Sequence, residues 1–450
     1  MGEAVERLTK LVDADDRYDI PHVQVRAAQI EAMNERFQER KDKIKLVGHR
    51  ADDAGIAEVR SLEGIVPLLL PHTAYKSYPE AWLREERWDR LSRWLDTVST
   101  HRVPVDKVKD SGDIDDWVTK LADNGFFVSC SSGTTGKSAM LVASQKDMDW
   151  CRKETVKGYS WGSGIVPAKD RRMFSTGAIA SVPRNHYTGL GQREALQDPA
   201  YEPFHFPIPP VTVGSLTKMV VLRKAIADGT AKPADIADFE ATSAVRAKAI
   251  EDAVEIAADE IVKARESKIH VAGLWANLYQ VAKAVRDRGY SAKDFNPENS
   301  IYVGGGLKRA LLPADYQEFV FETFNIRPER NFQNYSMQEL QSGMPKCQKG
   351  GRYHLPPWVV PLILDKSGDN LLPMSMTEEY EGRAAFFDLS LDGRWGGVIS
   401  GDKVSIDFRP CACGAKGPSI RDNVARYADL EGDDKIGCAG TVDAYVRGVA

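Results

Sequence analysis

Residues 126–144 read FFVSCSSGTTGKSAMLVAS, a run of serine, threonine and glycine that ends in a lysine between two apolar segments. Such a loop usually holds phosphate, because small residues leave the backbone N–H groups accessible and the lysine adds positive charge. Gly136, Lys137 and Ser138 fit the Walker loop of nucleotide triphosphatases, but Ser131 stands where that loop has its first glycine. A Walker loop opens a helix, whereas the alternating residues after Lys137 predict a strand. The predicted order is strand, loop, strand, which argues against a Walker ATPase.

Length and composition exclude several classes of protein. The chain has 450 residues, 42% of them apolar and 28% charged, as in a soluble protein with about three domains. A net charge of −5 shows no basic excess, so we expect no nucleic-acid partner. The apolar runs IVPLLLP and WVVPLIL are shorter than the roughly 18 residues of a membrane span, and the acidic N-terminus is unlike a secretory signal. Six cysteines in so long a chain indicate a reducing cytoplasm, with clustered cysteines as candidate metal ligands.

Predicted helices and strands alternate through the middle of the chain, which indicates an α/β fold with a largely parallel sheet. Apolar residues at helical spacing predict helices over residues 23–44, 79–98, 236–266 and 273–289. Short apolar segments predict strands within residues 172–178, 268–274, 300–306 and 325–336. From about residue 375 the pattern changes to strands and turns, which predicts a small β-rich subdomain.

Four further motifs follow the loop in a fixed order. They are YVGGGLK (302–308), QNYSMQEL (333–340), SGDKV (400–404) and NVARYADLEGDDK (423–435). With the loop, they resemble the adenylate-forming superfamily of acyl-CoA synthetases, adenylation domains and luciferases over roughly residues 60–440. The loop resembles that family's [ST]SGTTGxP/K motif, YSMQE its YGxTE motif, and SGD its TGD motif. Taken alone, each motif has a simpler interpretation: a surface loop, a solvated helix residue at Glu339, an Asx-turn at Asp402 and a glycine turn.

The resemblance implies a reaction and a role for each motif. A carboxylic acid attacks the α-phosphate of ATP, which gives an acyl-adenylate and pyrophosphate, and the acyl group then passes to a thiol or an amine. Lys137, Glu339 and Arg426 would be catalytic: Glu339 would hold Mg²⁺, and Arg426, with Arg421 as the competing choice, would lie near the ribose or α-phosphate. Asp402 would accept the ribose hydroxyls. The loop residues that would hold the phosphates are Ser131, Ser132, Gly133, Thr134, Thr135, Gly136 and Lys137. The adenine would stack on Tyr335, and the base or ribose would lie against Gly304, Gly305 and Gly306.

One branch of the superfamily fits best. CACGAKGPSI followed by RYADLEGDDKI is similar to a stretch of phenylacetate–CoA ligases, and CQKGGRYHLPPWVVPLILD is similar to the acyl-protein synthetases of bioluminescence. Members of the superfamily normally carry a mobile C-terminal domain with a lysine that contacts the reacting carboxylate. Only Lys435 follows the hinge arginine here, so we expect this swinging domain to be missing. The expected regions are a helical N-terminal region with the start of the α/β core (1–125), the α/β adenylation core (126–375), a small β-rich subdomain (376–425) and a hinge stub (426–450).

The expected partners are a small carboxylic acid and an acyl acceptor, which would be CoA, a carrier protein or an amine; a homodimer is left open. Trp275, Tyr279, His186 and Tyr187 lie in segments that line the acyl pocket of the family and would favour an aromatic acid, unless they belong to the core. Cys438 is a candidate acyl carrier with Lys435 three residues before it, and a small buried residue is the alternative. A different class of function is a nucleotide-binding or acyl-carrying subunit that is active only with a partner protein.

A metal site is also predicted from cysteine and histidine spacing. Cys347-x₆-His354 and Cys411-x-Cys413 supply three thiolates and one imidazole, which is a complete tetrahedral set for a structural zinc ion. The alternative is four unrelated residues in loops. Cys130 and Cys151 are expected to be packing residues rather than nucleophiles.

Overall fold

The structure is a computed structural model that describes residues 2–131, 137–305, 307, 310–431 and 436. The helices are α1 (Glu3–Lys10), α2 (His22–Arg40), α3 (Lys45–Asp53), α4 (Leu62–Ile65), α5 (Glu80–Arg84), α6 (Trp88–Thr97), α7 (Val105–Val108), α8 (Ile114–Asp123), α9 (Gln145–Ser163), α10 (Pro183–Leu196), α11 (Val213–Ala227), α12 (Pro233–Lys263), α13 (Trp275–Asp287), α14 (Tyr316–Phe324) and α15 (Tyr427–Glu431). The strands are β1 (Leu70–Pro71), β2 (Phe127–Cys130), β3 (Met140–Ala143), β4 (Arg172–Ser175), β5 (Phe204–His205), β6 (Ile269–Gly273), β7 (Ser300–Val303), β8 (Asn331–Tyr335), β9 (Met344–Cys347), β10 (Arg352–His354), β11 (Val359–Leu364), β12 (Glu379–Asp388), β13 (Gly397–Asp407), β14 (Ser419–Arg421) and β15 (Ala425–Arg426).

Backbone contacts divide the chain into two compact units. Unit 1 comprises Met1–Cys151, Ser336–Met344 and Gly350–Ala450, and unit 2 comprises Arg152–Tyr335 and Pro345–Lys349. The four regions expected from the sequence follow motif chemistry rather than packing, so their boundaries stay predictions. Among the residues that the structure describes, no helix combines the length and the apolar character needed to cross a bilayer.

Unit 1 is built on a mostly antiparallel sheet. Its strands lie in the order β11-β12-β13-β14-β10, and β1 and β15 both pair with β13. The strands expected after residue 375 are present, and β12 and β13 are the longest of them. All six residues of β11 are buried, as a short continuous apolar run predicts. Because β13 pairs with β1 near its start and with β15 near its middle, it brings three distant parts of the chain together.

The segment 126–144 contains a hairpin in unit 1. β2 and β3 pair in antiparallel register from Phe127↔Ala143 to Cys130↔Met140, and all eight of their residues are buried. The expected order of strand, loop and strand is therefore confirmed. The middle of the loop, residues 132–136, lies outside the described residues.

Unit 2 contains the parallel sheet that the alternating pattern predicts. Its strands lie in the order β8-β7-β6-β4-β5, and every registered pair is parallel. The apolar faces of α12, α13 and α14 contribute to one core cluster with β4, β6 and β7. The strands end at Ser175, His205, Gly273, Val303 and Tyr335, and in a parallel sheet these carboxyl ends share one edge, which is where ligands of α/β proteins usually bind.

One predicted helix is wrong in its extent. The segment 79–98 forms two helices, α5 and α6, because α5 ends in a left-handed turn at Glu86, with φ of 54°. The N–H of Arg87 bonds back to the carbonyl of Trp82 at 2.8 Å, the bond that closes a Schellman motif. Glycine usually occupies such a turn, so a glutamate at this position does not predict the end of a helix. The tryptophans of this segment are buried, as expected for packing residues.

Candidate active site and metal centre

Glu339 is buried in unit 1 rather than solvated. It lies in a turn after residue 336 and is 9% exposed, which contradicts the alternative of a solvated helix residue. Burial raises the pKa of Glu339, and the neighbouring carboxylate of Asp402 acts in the same direction. The positive charges of Lys76 and Arg394 oppose that rise. Glu339 is therefore a buried carboxylate surrounded by two cations and a second carboxylate.

Asp402 and Arg426 face each other on adjacent strands. They are direct register partners of β13 and β15, and Arg426 Nε lies 3.7 Å from Asp402 Oδ1. The competing Arg421 instead donates to Glu379 Oε2 at 2.6 Å, in a group of ion pairs that includes Asp407. Of the two arginines considered for the nucleotide site, Arg426 is therefore the one beside Asp402.

The two described ends of the predicted phosphate loop (residues 131–137, called the phosphate loop below) are fixed by hydrogen bonds. Ser131 Oγ accepts from the N–H of Ala139 at 3.2 Å. Lys137 Nζ donates to the carbonyls of Tyr78, at 2.7 Å, and Lys76, at 3.3 Å. The Tyr78 hydroxyl in turn donates to the carbonyl of Ser138 at 2.7 Å. The loop lysine therefore lies against the segment that follows β1.

Lys76 is a charged residue of this site that the sequence reasoning missed. Burial lowers its pKa, Glu339 raises it and Arg426 lowers it further, so its ammonium group lies within electrostatic range of both. It reaches this position because β1 pairs in parallel with the start of β13, at Leu70↔Val398 and Pro71↔Ile399. The sequence LLLPHTAYK shows only an apolar strand followed by a short polar turn, with no motif that would indicate a function.

The predicted metal ligands form a cluster. The ligand atoms of Cys347, His354, Cys411 and Cys413 all lie within 4.8 Å of one another, and the first three residues are buried. Within unit 1, Cys413 Sγ lies 3.5 Å from His354 Nε2. The turn that carries the two neighbouring cysteines is closed by a hydrogen bond from the N–H of Gly414 to the carbonyl of Cys411, and Gly414 has a φ of +102° that favours glycine. Three thiolates and one imidazole match a closed structural zinc site, so these residues fit that metal.

The other two described thiols are packed away from this cluster. Cys130 is 3% exposed and Cys151 is 2% exposed. Burial raises the pKa of Cys130 to about 12, so its thiol stays protonated at neutral pH. Both placements agree with packing residues.

The aromatic residues predicted for the acyl pocket take two different positions in unit 2. Trp275 is 2% exposed and belongs to the core, where its ring packs 5.1 Å from that of Tyr316. Tyr279 packs against the same core and lies 5.2 Å from Phe319. These positions favour the core alternative for both residues. His186 is exposed and Tyr187 is half-buried on α10, with their rings 5.7 Å apart.

Unit 2 also carries the residues predicted to face the base. Gly304 follows β7 and its N–H donates to the carbonyl of Gly273 at 3.0 Å. Gly305 has a φ of 117°, a conformation that side-chain-bearing residues rarely adopt. Tyr335 ends β8 at the same sheet edge. The predicted site residues outside the described part of the chain are Ser132, Gly133, Thr134, Thr135, Gly136, Gly306, Lys435 and Cys438.

The fold is that of an adenylate-forming ligase. Among solved structures, the chain is similar to 2-hydroxyisobutyryl-CoA ligase in the postadenylation state in complex with R3-HIB-AMP, with a TM-score of 0.54 and 13% sequence identity over 97% of this chain and 76% of that chain. It is also similar to the same ligase in an open conformation in complex with 2-HIB-AMP and CoA, with a TM-score of 0.53 and 13% identity over 94% and 76% of the two chains. No family model matches the sequence, and no curated protein matches it.

Proposed function

We propose that this protein uses ATP to activate a carboxylic acid as an acyl-adenylate, with release of pyrophosphate. The observation that carries the proposal is the charged group in unit 1, where Glu339, Asp402, Arg426 and Lys76 interact with one another beside the fixed end of the phosphate loop. The solved ligases of similar fold hold acyl-AMP, which supports the same reaction class. In adenylation the negative charge spreads over the phosphates, so the protein contributes mainly positive charge and position.

Each member of this group would have one role. Glu339 would hold Mg²⁺, which neutralises charge on the departing phosphates, and Asp402 would accept the ribose hydroxyls. Arg426 and Lys137 would lie near the phosphates, with the rest of the predicted loop. Lys76 would be a further cation for the α-phosphate or for the attacking carboxylate, because it already lies in the field of Glu339 and Arg426.

The finer assignments extend this proposal. The acid would be aromatic, and the enzyme would belong to the phenylacetate–CoA ligase branch, on the motifs quoted above. The acyl group would pass to CoA, to a carrier protein or to an amine; the similar ligase solved with CoA favours the first of these. Tyr335, Gly304 and Gly305 would face the base, and His186 and Tyr187 the acid. A structural zinc ion would lie in the Cys₃His cluster, and the cysteine usage supports a reducing cytoplasm.

The direct test is acid-dependent exchange of labelled pyrophosphate into ATP, measured with the purified protein over a panel of aryl and fatty acids. Exchange with one acid class identifies the substrate class. Asp402→Asn should weaken ATP binding by about tenfold, since hydrogen bonds to a charged group contribute roughly 1.5–3 kcal/mol. Exchange that occurs only after a partner protein is added would instead indicate a subunit of a larger enzyme. No exchange with any acid, with or without a partner, would refute the proposal.

A further inference from the structure

Two buried side chains hold the backbone that carries Glu339: one belongs to the last residue of β12 and the other to the connection between β12 and β13. The Asp388 carboxylate accepts hydrogen bonds from the N–H groups of Gln341, at 2.9 Å, and Ser342, at 3.0 Å. From the other end of that connection, Arg394 donates to the carbonyl of Gln338 at 2.9 Å and to that of Glu339 at 3.0 Å. In the turn that presents Glu339, Asp388 therefore holds two N–H groups and Arg394 holds two carbonyl groups.

The Arg394 guanidinium also binds the strand that leaves the phosphate loop. Its second terminal nitrogen donates to the carbonyl of Val142, in β3, at 2.9 Å. One planar group therefore bonds to three carbonyls that belong to two separate functional segments. The rigid fork of a guanidinium fixes the spacing between such carbonyls, which the flexible ammonium group of a lysine does not.

Arg394 is itself held in place. It is 1% exposed, and its own carbonyl accepts a hydrogen bond from Arg40 Nη1 at 2.7 Å. The two residues before it in sequence donate their N–H groups to the buried carboxylate of Asp147, Asp392 at 2.7 Å and Gly393 at 2.8 Å. Hydrogen bonds therefore fix the backbone at and just before Arg394. Because its backbone is fixed, the Arg394 side chain can determine the positions of the segments that it binds.

We propose that Arg394 is a positioning residue that sets the Glu339 carboxylate in register with β3, the strand that follows the loop lysine. This inference rests on the proposed function, because it assigns the two segments to one metal–phosphate site. The expected consequence is large for a residue outside the reaction, because a misplacement of about 1 Å costs roughly 10² in rate. Arg394 binds backbone carbonyls of this turn, and its positive charge also acts on the Glu339 carboxylate.

The test compares Arg394→Lys with Arg36→Lys. Arg36 is a matched control: it is 1% exposed and also donates to a backbone carbonyl, that of Leu389 in the connection between β12 and β13, and its other hydrogen-bond partner is Glu39 rather than the turn of Glu339. The first measurement is amide hydrogen exchange of the full chain, read by mass spectrometry over peptides that cover residues 338–344 and 140–143. The second is binding of Mn²⁺ in the presence of ATP, followed by electron paramagnetic resonance.

For Arg394→Lys we expect faster amide exchange in both peptides, and Mn²⁺–ATP binding weakened by about tenfold through loss of charged hydrogen bonds. The kcat of pyrophosphate exchange should fall while the KM for the acid is kept. Arg36→Lys should leave all four quantities near wild type. If Arg394→Lys does not fold, Asp388→Asn tests the other side of the same turn with the same measurements. Unchanged amide exchange and Mn²⁺ binding in Arg394→Lys would overturn the inference. Wild-type protein that binds no Mn²⁺ with ATP would overturn the proposed function instead, and the amide exchange would still report on Arg394.

Discussion

The predicted functional residues of the two units differ in their surroundings. In unit 1, charged residues from distant motifs face each other, and Glu339, Asp402 and Arg426 form one interacting group. In unit 2, Trp275 and Tyr279, which were predicted to line an acyl pocket, pack in the core. The difference follows from solvation. A buried charge needs partners, so charged motif residues in a fold are drawn together, whereas an aromatic ring is satisfied by any apolar neighbour.

Removal of a ligand from the metal cluster should give the largest effect. Cys411→Ser should lower zinc content from one equivalent per chain and lower the melting temperature with it, because structural zinc contributes folding energy directly. In zinc-finger peptides that contribution is roughly 10–16 kcal/mol. Cys151→Ala, which changes a buried cysteine outside the cluster, should keep its metal. Elemental analysis of an untreated preparation measures the metal, and a zinc-free wild-type protein would contradict the prediction.

Truncation of the core aromatic residue in unit 2 should follow next. Trp275→Ala should lower the free energy of unfolding by about 3–5 kcal/mol, since it empties a large buried volume, and should leave the preference among acids unchanged. Tyr187→Ala is the contrasting variant, because this half-buried residue can change acid preference at little cost in stability. Denaturant unfolding and exchange assays over the acid panel measure the two properties. A change of acid preference in Trp275→Ala without loss of stability would show that this residue lines the acyl pocket rather than the core.

In unit 1, the corresponding change should affect chemistry rather than stability. Glu339→Gln removes the negative charge that would hold Mg²⁺ and should reduce acid-dependent pyrophosphate exchange by roughly 10²–10³, the usual cost of one lost transition-state contact. Glu378→Gln, at an exposed position of the same unit, serves as the control and should exchange normally. Normal exchange by the Glu339 variant would mean that the metal binds elsewhere.

The sequence predicts the motif-bearing parts of this molecule better than the residues that support them. The β2–β3 hairpin, the parallel strands of unit 2 and the Cys₃His cluster are all as expected, because each depends on local periodicity or on ligand spacing. Lys76 and Arg394 were missed. The position of Lys76 depends on the pairing of β1 with β13, and that of Arg394 depends on the connection between β12 and β13. Neither feature produces a recognisable pattern in the local sequence.

The smallest expected effect compares one buried histidine in each unit. Burial lowers the pKa of His22, in unit 1, to about 4, with a smaller contribution from Arg26. In unit 2, burial lowers the pKa of His270 to about 3, and Arg171 acts in the same direction. His22 packs 5.2 Å from the ring of Phe408, and His270 Nδ1 lies 2.9 Å from Ser300 Oγ.

Because these pKa values are depressed in the folded state, protonation favours the unfolded chain. The stability that each histidine contributes is full above its ordinary pKa of 6.5 and is lost as the pH falls toward the folded value. At pH 5 each histidine should cost about 2 kcal/mol relative to pH 7.5. The loss should level off near pH 4 for His22 and continue to about pH 3 for His270. Denaturant unfolding at pH 7.5, 5, 4 and 3.5 measures it: His22→Phe and His270→Asn should each lose less stability than wild type at pH 5, and between pH 4 and 3.5 His270→Asn should gain more on wild type than His22→Phe does. A wild-type protein equally stable at pH 7.5 and 5 would show that neither histidine is held neutral by the fold.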